Sequence, residues 1–406
     1  MLTQFCEPET HMTRSLLFAR ALVEKGHEVQ ILTGFPNYPN GKIYPGYEIR
    51  PLQREMVDGV SILRVPLYPS HDASALRRIV NYASFAISAS VLGSIFARRP
   101  DVIYVWHPPL TAGVAAMILS ITKRAPFVYD IQDLWPDTLA ATGMVGNQRL
   151  LDQVAALARL IYRRAAHLAV QSPGFRDTLT RRGVPARKID VIYNWSHEGQ
   201  LQLAHDPQVA SSMRAGERFN VVFAGTMGKA QGLGTVLAAA DLLQRSHPNV
   251  QFVFVGGGLE VANLRASASE RGLGNVLFLP RMPVTSVGSV LGAADVLLIH
   301  LKDLPLFEIT IPGKTQDYLS TGKPILLAGR GNSAELVEAS GGGVVCPPSD
   351  PEALANAVVA LAGLRPSELE AMGSRGKEYY GTHLSLDIGS DRFIDLFRRV
   401  IARSAS

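Results

Sequence analysis

Two lysines in this chain each follow a glycine where an apolar run gives way to a helical pattern, an arrangement suited to holding phosphate. After Val221-Val222-Phe223-Ala224 come Gly225, Thr226, Met227, Gly228, Lys229, Ala230, Gln231 and Gly232, followed by a helical run of Leu, Val and Ala. Glycines let backbone amides approach an anion, the helix N-terminus offers partial positive charge, and Lys229 adds a full one. The same residues also fit a glycine-rich turn with a solvated lysine. After Val253-Phe254-Val255, the run Gly256-Gly257-Gly258 repeats the theme, where a plain turn and a ligand contact compete on equal terms.

A third loop runs from Leu306 through Glu308, Ile311, Pro312, Gly313 and Lys314, and a stop at Gly322-Lys323-Pro324 closes the segment that follows. Pro312 suits a first helical position, and Gly322 with Pro324 ends the helix. Gly313 and Asp317 are four residues apart. The carboxylate therefore shares a face with the anion-receptive first turn and could meet ribose hydroxyls while Lys314 holds phosphate; the alternative is a solvated helix residue.

Trp106-His107-Pro108-Pro109 and Tyr129-Asp130-Ile131-Gln132-Asp133-Leu134-Trp135-Pro136 each follow an apolar run and mix polar groups with rings suited to a sugar face. His107 and Asp133 are the candidates there, against a packed histidine and a helix cap. No Asp-x-Asp or His-x-x-x-His occurs, Asp130 and Asp133 are separated by two residues, and there is no Walker loop. Nor does the first apolar run lead into Gly-x-Gly-x-x-Gly. No metal and no resident cofactor are expected.

These residues need a scaffold, and the apolar runs at 28–33, 102–106, 127–131, 219–224, 250–255, 276–279, 296–300 and 324–327 alternate with helical patterns. That alternation predicts an α/β fold, parallel sheets wound with helices on both faces. Ligands on such sheets bind beyond the carboxyl ends of the strands. With 406 residues, 47% of them hydrophobic and 18% charged, two compact lobes are expected. The boundary is placed in the polar stretch 200–218. The run at 2–5 is short for a core strand, which leads us to expect a few residues upstream of Met1.

Cys6 and Cys346 lie far apart, without disulfide or zinc spacing. No export signal is read at the start, so a cytoplasmic location is expected. The net charge of +5 suits nucleic acid, an anionic membrane or a diphosphate equally, but no aromatic platform is interleaved with the basic residues, and no nucleic acid is expected as a partner. Residues 79–97 carry no charge and lie between Arg77-Arg78 and Arg98-Arg99. A buried helix, an interfacial contact with anionic lipid and a true span all meet that description.

Taken together, Leu32-Thr33-Gly34-Phe35-Pro36-Asn37-Tyr38-Pro39, Tyr44-Pro45-Gly46-Tyr47, Asp133-Leu134-Trp135-Pro136, the 225–232 loop and Gly322-Lys323-Pro324 resemble the family-4 (group 1) glycosyltransferases of the GT-B fold. The likeness covers nearly the whole chain. It extends to the subgroup that builds O-antigen and capsule, including N-acetyl-L-fucosamine transferases. It implies two Rossmann-like domains, 1–205 for the acceptor and 206–386 for the nucleotide sugar, a helix at 387–406 returning to the first, and chemistry in the cleft between them.

The implied reaction is retaining, metal-independent transfer from a nucleotide diphosphate sugar, with UDP the expected carrier and an N-acetylated amino sugar among the expected donors. The acceptor would be a polyprenyl-diphosphate-linked glycan at the cytoplasmic face of a bacterial membrane. A sugar-nucleotide epimerase on the same fold, a two-lobed solute-binding protein and a dehydrogenase are the rivals.

The chain departs from the family's pattern in several places. The family's two glutamates, eight apart, fall here on Ile309, beside Glu308, and on Asp317. Its Arg and Lys phosphate pair falls on Thr226 and Gln231, leaving Lys229, Arg281 or Lys314 as the clamp. A frequent histidine falls on Gln132, and the first glycine-rich turn is replaced by Glu7-Pro8-Glu9-Thr10-His11-Met12-Thr13. The expected ligand contacts are thus Gly225, Gly228, Lys229, Gly256, Arg281, Glu308, Gly313, Lys314 and Asp317, with His107 and Asp133 orienting hydroxyls.

Overall fold

The structure, a computed structural model, describes residues 1–9, 15–70, 75–199, 201–214 and 217–405. Residues 10–13 of the replaced turn, and positions 200, 215 and 216 of the expected linker, lie outside the described residues. The chain divides into two compact units, Met1–Tyr193 with Leu386–Ser406, and Asn194–Ser385. The division falls ahead of the polar stretch because residues 196–198 are bonded into the second unit. Ser196 N–H donates to the Tyr380 hydroxyl at 3.0 Å and His197 N–H to Asp317 Oδ1 at 3.0 Å.

In the first unit, β1 (Gln30–Gly34) pairs in parallel with β3 (Val60–Val65), and β2 (Gln53–Val57) runs antiparallel to β3. Asp58 and Gly59, both at positive φ, make the two-residue turn that joins β2 to β3. This pair departs from the all-parallel expectation: a two-residue turn can connect only antiparallel neighbours. β4 (Ile103–His107), β5 (Phe127–Ile131), β6 (His167–Val170) and β7 (Ile189–Val191) then run parallel in that order. The run at 2–5 is reduced to one bridging residue, Leu2, which pairs with both Leu32 and Val105.

The helices of this unit include α1 (Ser15–Glu24), α2 (Ala75–Phe96) and α3 (Thr111–Lys123). The terminal helix, Leu386–Ala405, packs Phe393 against Phe18 of α1 and Tyr104 of β4, with ring centroids 5.1 and 5.3 Å apart. Apolar burial of this size, rather than helix propensity, holds a terminal helix in place.

The second unit contains one six-stranded parallel sheet, with β8 (Phe219–Ala224), β9 (Val250–Val255), β10 (Val276–Leu279), β11 (Val296–His300), β12 (Ile325–Ala328) and β13 (Gly343–Cys346) in the order β10-β9-β8-β11-β12-β13. β9 and β11 are buried along their whole length, which explains why their runs show no period-two alternation. The winding reverses between β8 and β11. A crevice opens beyond the carboxyl ends of two strands at such a switch point, and the 225–232 and 301–314 loops leave from those two ends.

Candidate functional site

Backbone contact between two glycine-rich turns forms the floor of the second unit's site. A Cβ on Gly256, at φ +138°, would lie 2.0 Å from the Gly225 carbonyl oxygen, and one on Gly258, at φ +145°, 2.3 Å from that of Met227. Only glycine allows that approach. The turns are joined by Gly225 N–H to Val255 O at 2.9 Å and Met227 N–H to Gly257 O at 2.7 Å. The 256–258 run therefore serves loop-on-loop packing, while Arg281 lies along it, its Cδ 3.7 Å from where a Gly257 side chain would begin.

The Gly313–Thr321 helix brings a cation to this floor. Tyr318, fully buried, accepts from Ala224 N–H at 2.9 Å and donates to the same residue's carbonyl at 3.2 Å, fastening the helix to the end of β8. Lys314, one turn earlier, is thereby carried over the Phe223 ring, its Nζ 3.6 Å from the centroid and 3.3 Å from the position of a Gly225 Cβ. Its Nζ is sealed from solvent and makes no hydrogen bond. Burial pushes the amine down to about 7 from its usual range, and the charge of Asp317 partly opposes that shift. A buried donor without a partner costs about 1–3 kcal/mol, more when charged. An anion entering beside Gly225 would supply what Lys314 lacks.

The remaining candidates of this unit are arranged differently. Lys229 is exposed on the short 3₁₀ turn Lys229–Gln231, where Gly228 N–H donates to Gln231 Oε1 at 3.0 Å. That turn intervenes before the Gly234–Ser246 helix, so the 225–232 loop does not lead straight into an α-helix. Arg281 and Glu308 are also exposed, and Glu308 is fixed through its backbone, against Gly331. Asp317 is half-buried, and its Oδ1 takes the His197 main-chain N–H at 3.0 Å and lies 3.1 Å from His197 Nδ1. His300 is buried beside Gly232 with Nδ1 2.6 Å from the Gln231 carbonyl. Burial lowers its pKa, so the ring is neutral and Nδ1–H donates.

In the first unit, His107 ends β4 entirely buried, 5.4 Å from the Trp135 ring and 5.6 Å from that of Tyr129. Neither ring nitrogen has a hydrogen-bond partner, and burial holds its pKa down at about 3. It is a neutral ring at any working pH. Asp133 is raised to about 6 by burial, and Asp130 to about 7, although Tyr104 donates to Asp130 at 2.6 Å and Gln132 at 2.8 Å.

Glu9, similarly raised to about 7, accepts from the main-chain N–H groups of Asn37 at 2.6 Å, Tyr38 at 2.9 Å and Cys6 at 3.0 Å. It thus organises the 34–39 loop from the turn that replaces the glycines. Sequence reading singled out neither this function of Glu9 nor His197, His300 and Phe223. Glu9 alone had a signal, its place in a substituted turn. Among the described residues, no three His, Cys, Asp or Glu side chains gather as a metal site.

Comparison with known proteins adds to this geometry. A family model described as a glycosyl transferase 4-like domain matches residues 12–195, and one described as glycosyl transferases group 1 matches residues 218–363. WcaI of Escherichia coli, named as a colanic acid biosynthesis glycosyl transferase, is 28% identical over 361 residues, 86% of each chain. WbjE of Pseudomonas aeruginosa, named as a glycosyltransferase, is 24% identical over 76% of this chain and 77% of its own. Among solved structures, Anabaena Alr3699/HepE in complex with UDP and glucose superposes with a TM-score of 0.68 at 18% identity, covering 98% of both chains. Sucrose-phosphate synthase of Thermosynechococcus elongatus does so with a TM-score of 0.74 at 16% identity, covering 99% and 98%. The fold is that of the GT-B enzymes.

Proposed function

The chain belongs to the group 1 glycosyltransferases, and from that premise we propose that it carries out retaining, metal-independent sugar transfer from a nucleotide diphosphate donor, with UDP the favoured carrier. The observation that carries this reading is Lys314, a sealed and partnerless amine beside Gly225 at the sheet's switch point. Negative charge grows on the diphosphate as the glycosidic bond breaks. A fixed ammonium stabilises that charge more in the transition state than in the bound donor. Lys229 and Arg281, exposed near the same turns, complete the clamp, Asp317 holds the ribose, and Gly313 offers a backbone amide, whereas the Gly228 amide is taken by Gln231. Complexes of Alr3699/HepE with UDP support the choice of nucleotide.

For the acceptor we propose a polyprenyl-diphosphate-linked glycan of a bacterial surface polysaccharide, with His107 and Asp133 orienting its hydroxyls and an N-acetylated amino sugar as the transferred group. The naming of WcaI for colanic acid biosynthesis supports the surface-polysaccharide part. The exposed apolar side of α2 supports the peripheral membrane location proposed with this acceptor. Leu76–Phe96 is long and apolar enough to cross a bilayer, and its outer side exposes Leu76 at 70%, Ile87 at 64% and Ile95 at 65%, continued by Ile121 of α3.

Its inner side is already committed. Asn81, Phe85 and Ala89 are buried, Asn81 donates to Tyr68 O at 2.7 Å, and Gly93 fits closely against Leu32 and Leu119. The helix therefore lies in the plane of an anionic leaflet rather than crossing it, with Arg98 and Arg99 among the headgroups. The direct test of the donor reading is a thermal-shift panel of UDP, GDP, dTDP and NAD. Stabilisation by a nucleoside diphosphate and not by NAD is expected; stabilisation by NAD alone would overturn it.

A further inference from the structure

Asp317 stands where the proposed donor ribose is held, yet a residue 120 positions earlier already grips its carboxylate. His197 points both its main-chain N–H, at 3.0 Å, and its ring Nδ1, at 3.1 Å, at the same oxygen, Oδ1. Both side chains are largely enclosed, with 14% of His197 and 19% of Asp317 exposed, so water screens the pair only weakly. His197 is itself held in place. Ser196 N–H donates to the Tyr380 hydroxyl at 3.0 Å, and that hydroxyl donates to Glu198 Oε1. The Pro366–His383 helix thus pins the residues on either side of His197, and two donors on one oxygen fix the orientation of the carboxylate about its own bond.

We infer that His197 is a positioning residue for donor binding, holding the Asp317 carboxylate in the orientation that receives the ribose hydroxyls. The inference rests on the reading that Asp317 binds ribose. A free aspartate on a helix surface samples several rotamers and must be ordered when ligand binds, at a cost of about two- to twelvefold in affinity for each immobilised side chain. A carboxylate ordered in advance avoids that cost. The geometry also separates the two donors of His197: substitution of the side chain removes the ring and leaves the main-chain N–H in place.

The experiment is a double-mutant cycle on the full-length enzyme, with His197→Ala, Asp317→Ala and both together, and with His197→Asn as the conservative variant. Steady-state kcat and donor KM are measured for each, with melting temperatures alongside. Asp317→Ala is expected to raise donor KM with little change in kcat. His197→Ala is expected to raise donor KM by about five- to tenfold, the effect of having to order one carboxylate side chain on binding, with kcat within about twofold. The Asn amide, placed to replace Nδ1–H, is expected to restore most of the loss. In the Asp317→Ala background, His197→Ala should have no further effect.

Full additivity of the two substitutions, or loss of kcat and KM alike without rescue by Asn, would overturn the positioning role and leave the ribose reading standing. An unchanged donor KM in Asp317→Ala would overturn the ribose reading itself, and the inference with it.

Discussion

Lys314 Nζ lies 3.6 Å from the centroid of the Phe223 ring, so the amine sealed at the switch point rests on the face of the last fully buried aromatic residue of β8. A ring face stabilises a desolvated ammonium by about 2 kcal/mol or somewhat more, less than the several kcal/mol that sealing a charge from water costs. The amine is therefore held near neutrality, pushed down to about 7, and a diphosphate restores its charge.

Transfer should respond unequally to the two lysines. Lys314→Ala should lower kcat by about 10² to 10³, as when one oxyanion-hole donor is removed. Lys229→Ala should cost less, because Lys229 is exposed and its charge is screened. Steady-state kinetics of both variants decides this. A larger loss from Lys229→Ala would move the centre of the clamp to the exposed turn.

The same burial predicts a stability effect. Between about pH 7 and the ordinary lysine range, Lys314 is neutral when folded and charged when unfolded, so the unfolded chain binds the extra proton and stability of the free enzyme rises with pH across that window. Lys314→Met removes the buried amine. Its melting temperature should exceed that of the unmodified enzyme most at pH 7 and below, and the difference should shrink toward pH 10. A difference that does not vary with pH would contradict the assignment.

Much of the scaffold was legible in the sequence, because parallel strands buried on both faces are uninterrupted apolar runs: β5, β8, β9 and β11 fall on the runs read for them, and so does β10, a half-buried edge strand of apolar residues. β2 was missed because it is an edge strand whose residues, Gln53–Val57, include Arg54 and Glu55 and alternate between half-buried and exposed. β7 is only three residues long. In the candidate site, glycine spacing pointed to Gly225 and Lys314. His197 carried no such signal, since its meaning depends on a contact across 120 residues. The sequence also left the 256–258 glycines undecided, and only the proximity of the Gly225 and Met227 carbonyls explains them.

Chelation should leave activity intact. The proposed clamp neutralises the diphosphate with Lys314, Lys229 and Arg281, so turnover in EDTA is expected to match turnover without it. Loss of most turnover, restored by magnesium or manganese, would show that a metal takes their place.

Membrane association should depend on the outer side of α2. Ile87→Glu with Val91→Glu places two charges on residues 64% and 54% exposed, so folding should be spared while sedimentation with anionic vesicles at low salt is lost. Unchanged sedimentation would remove α2 from the membrane contact. Resistance of the unmodified enzyme to a carbonate wash would indicate a span instead.

The central claim, that a nucleoside diphosphate binds against Lys314, is tested most directly by calorimetric titration of UDP at pH 8 in two buffers of different ionisation enthalpy. With the free amine at about 7 and a bound amine back in its usual range, UDP binding should take up about one proton, and Lys314→Met should bind UDP more weakly with no uptake. Tight UDP binding by Lys314→Met with the same proton uptake as the unmodified enzyme would contradict the account.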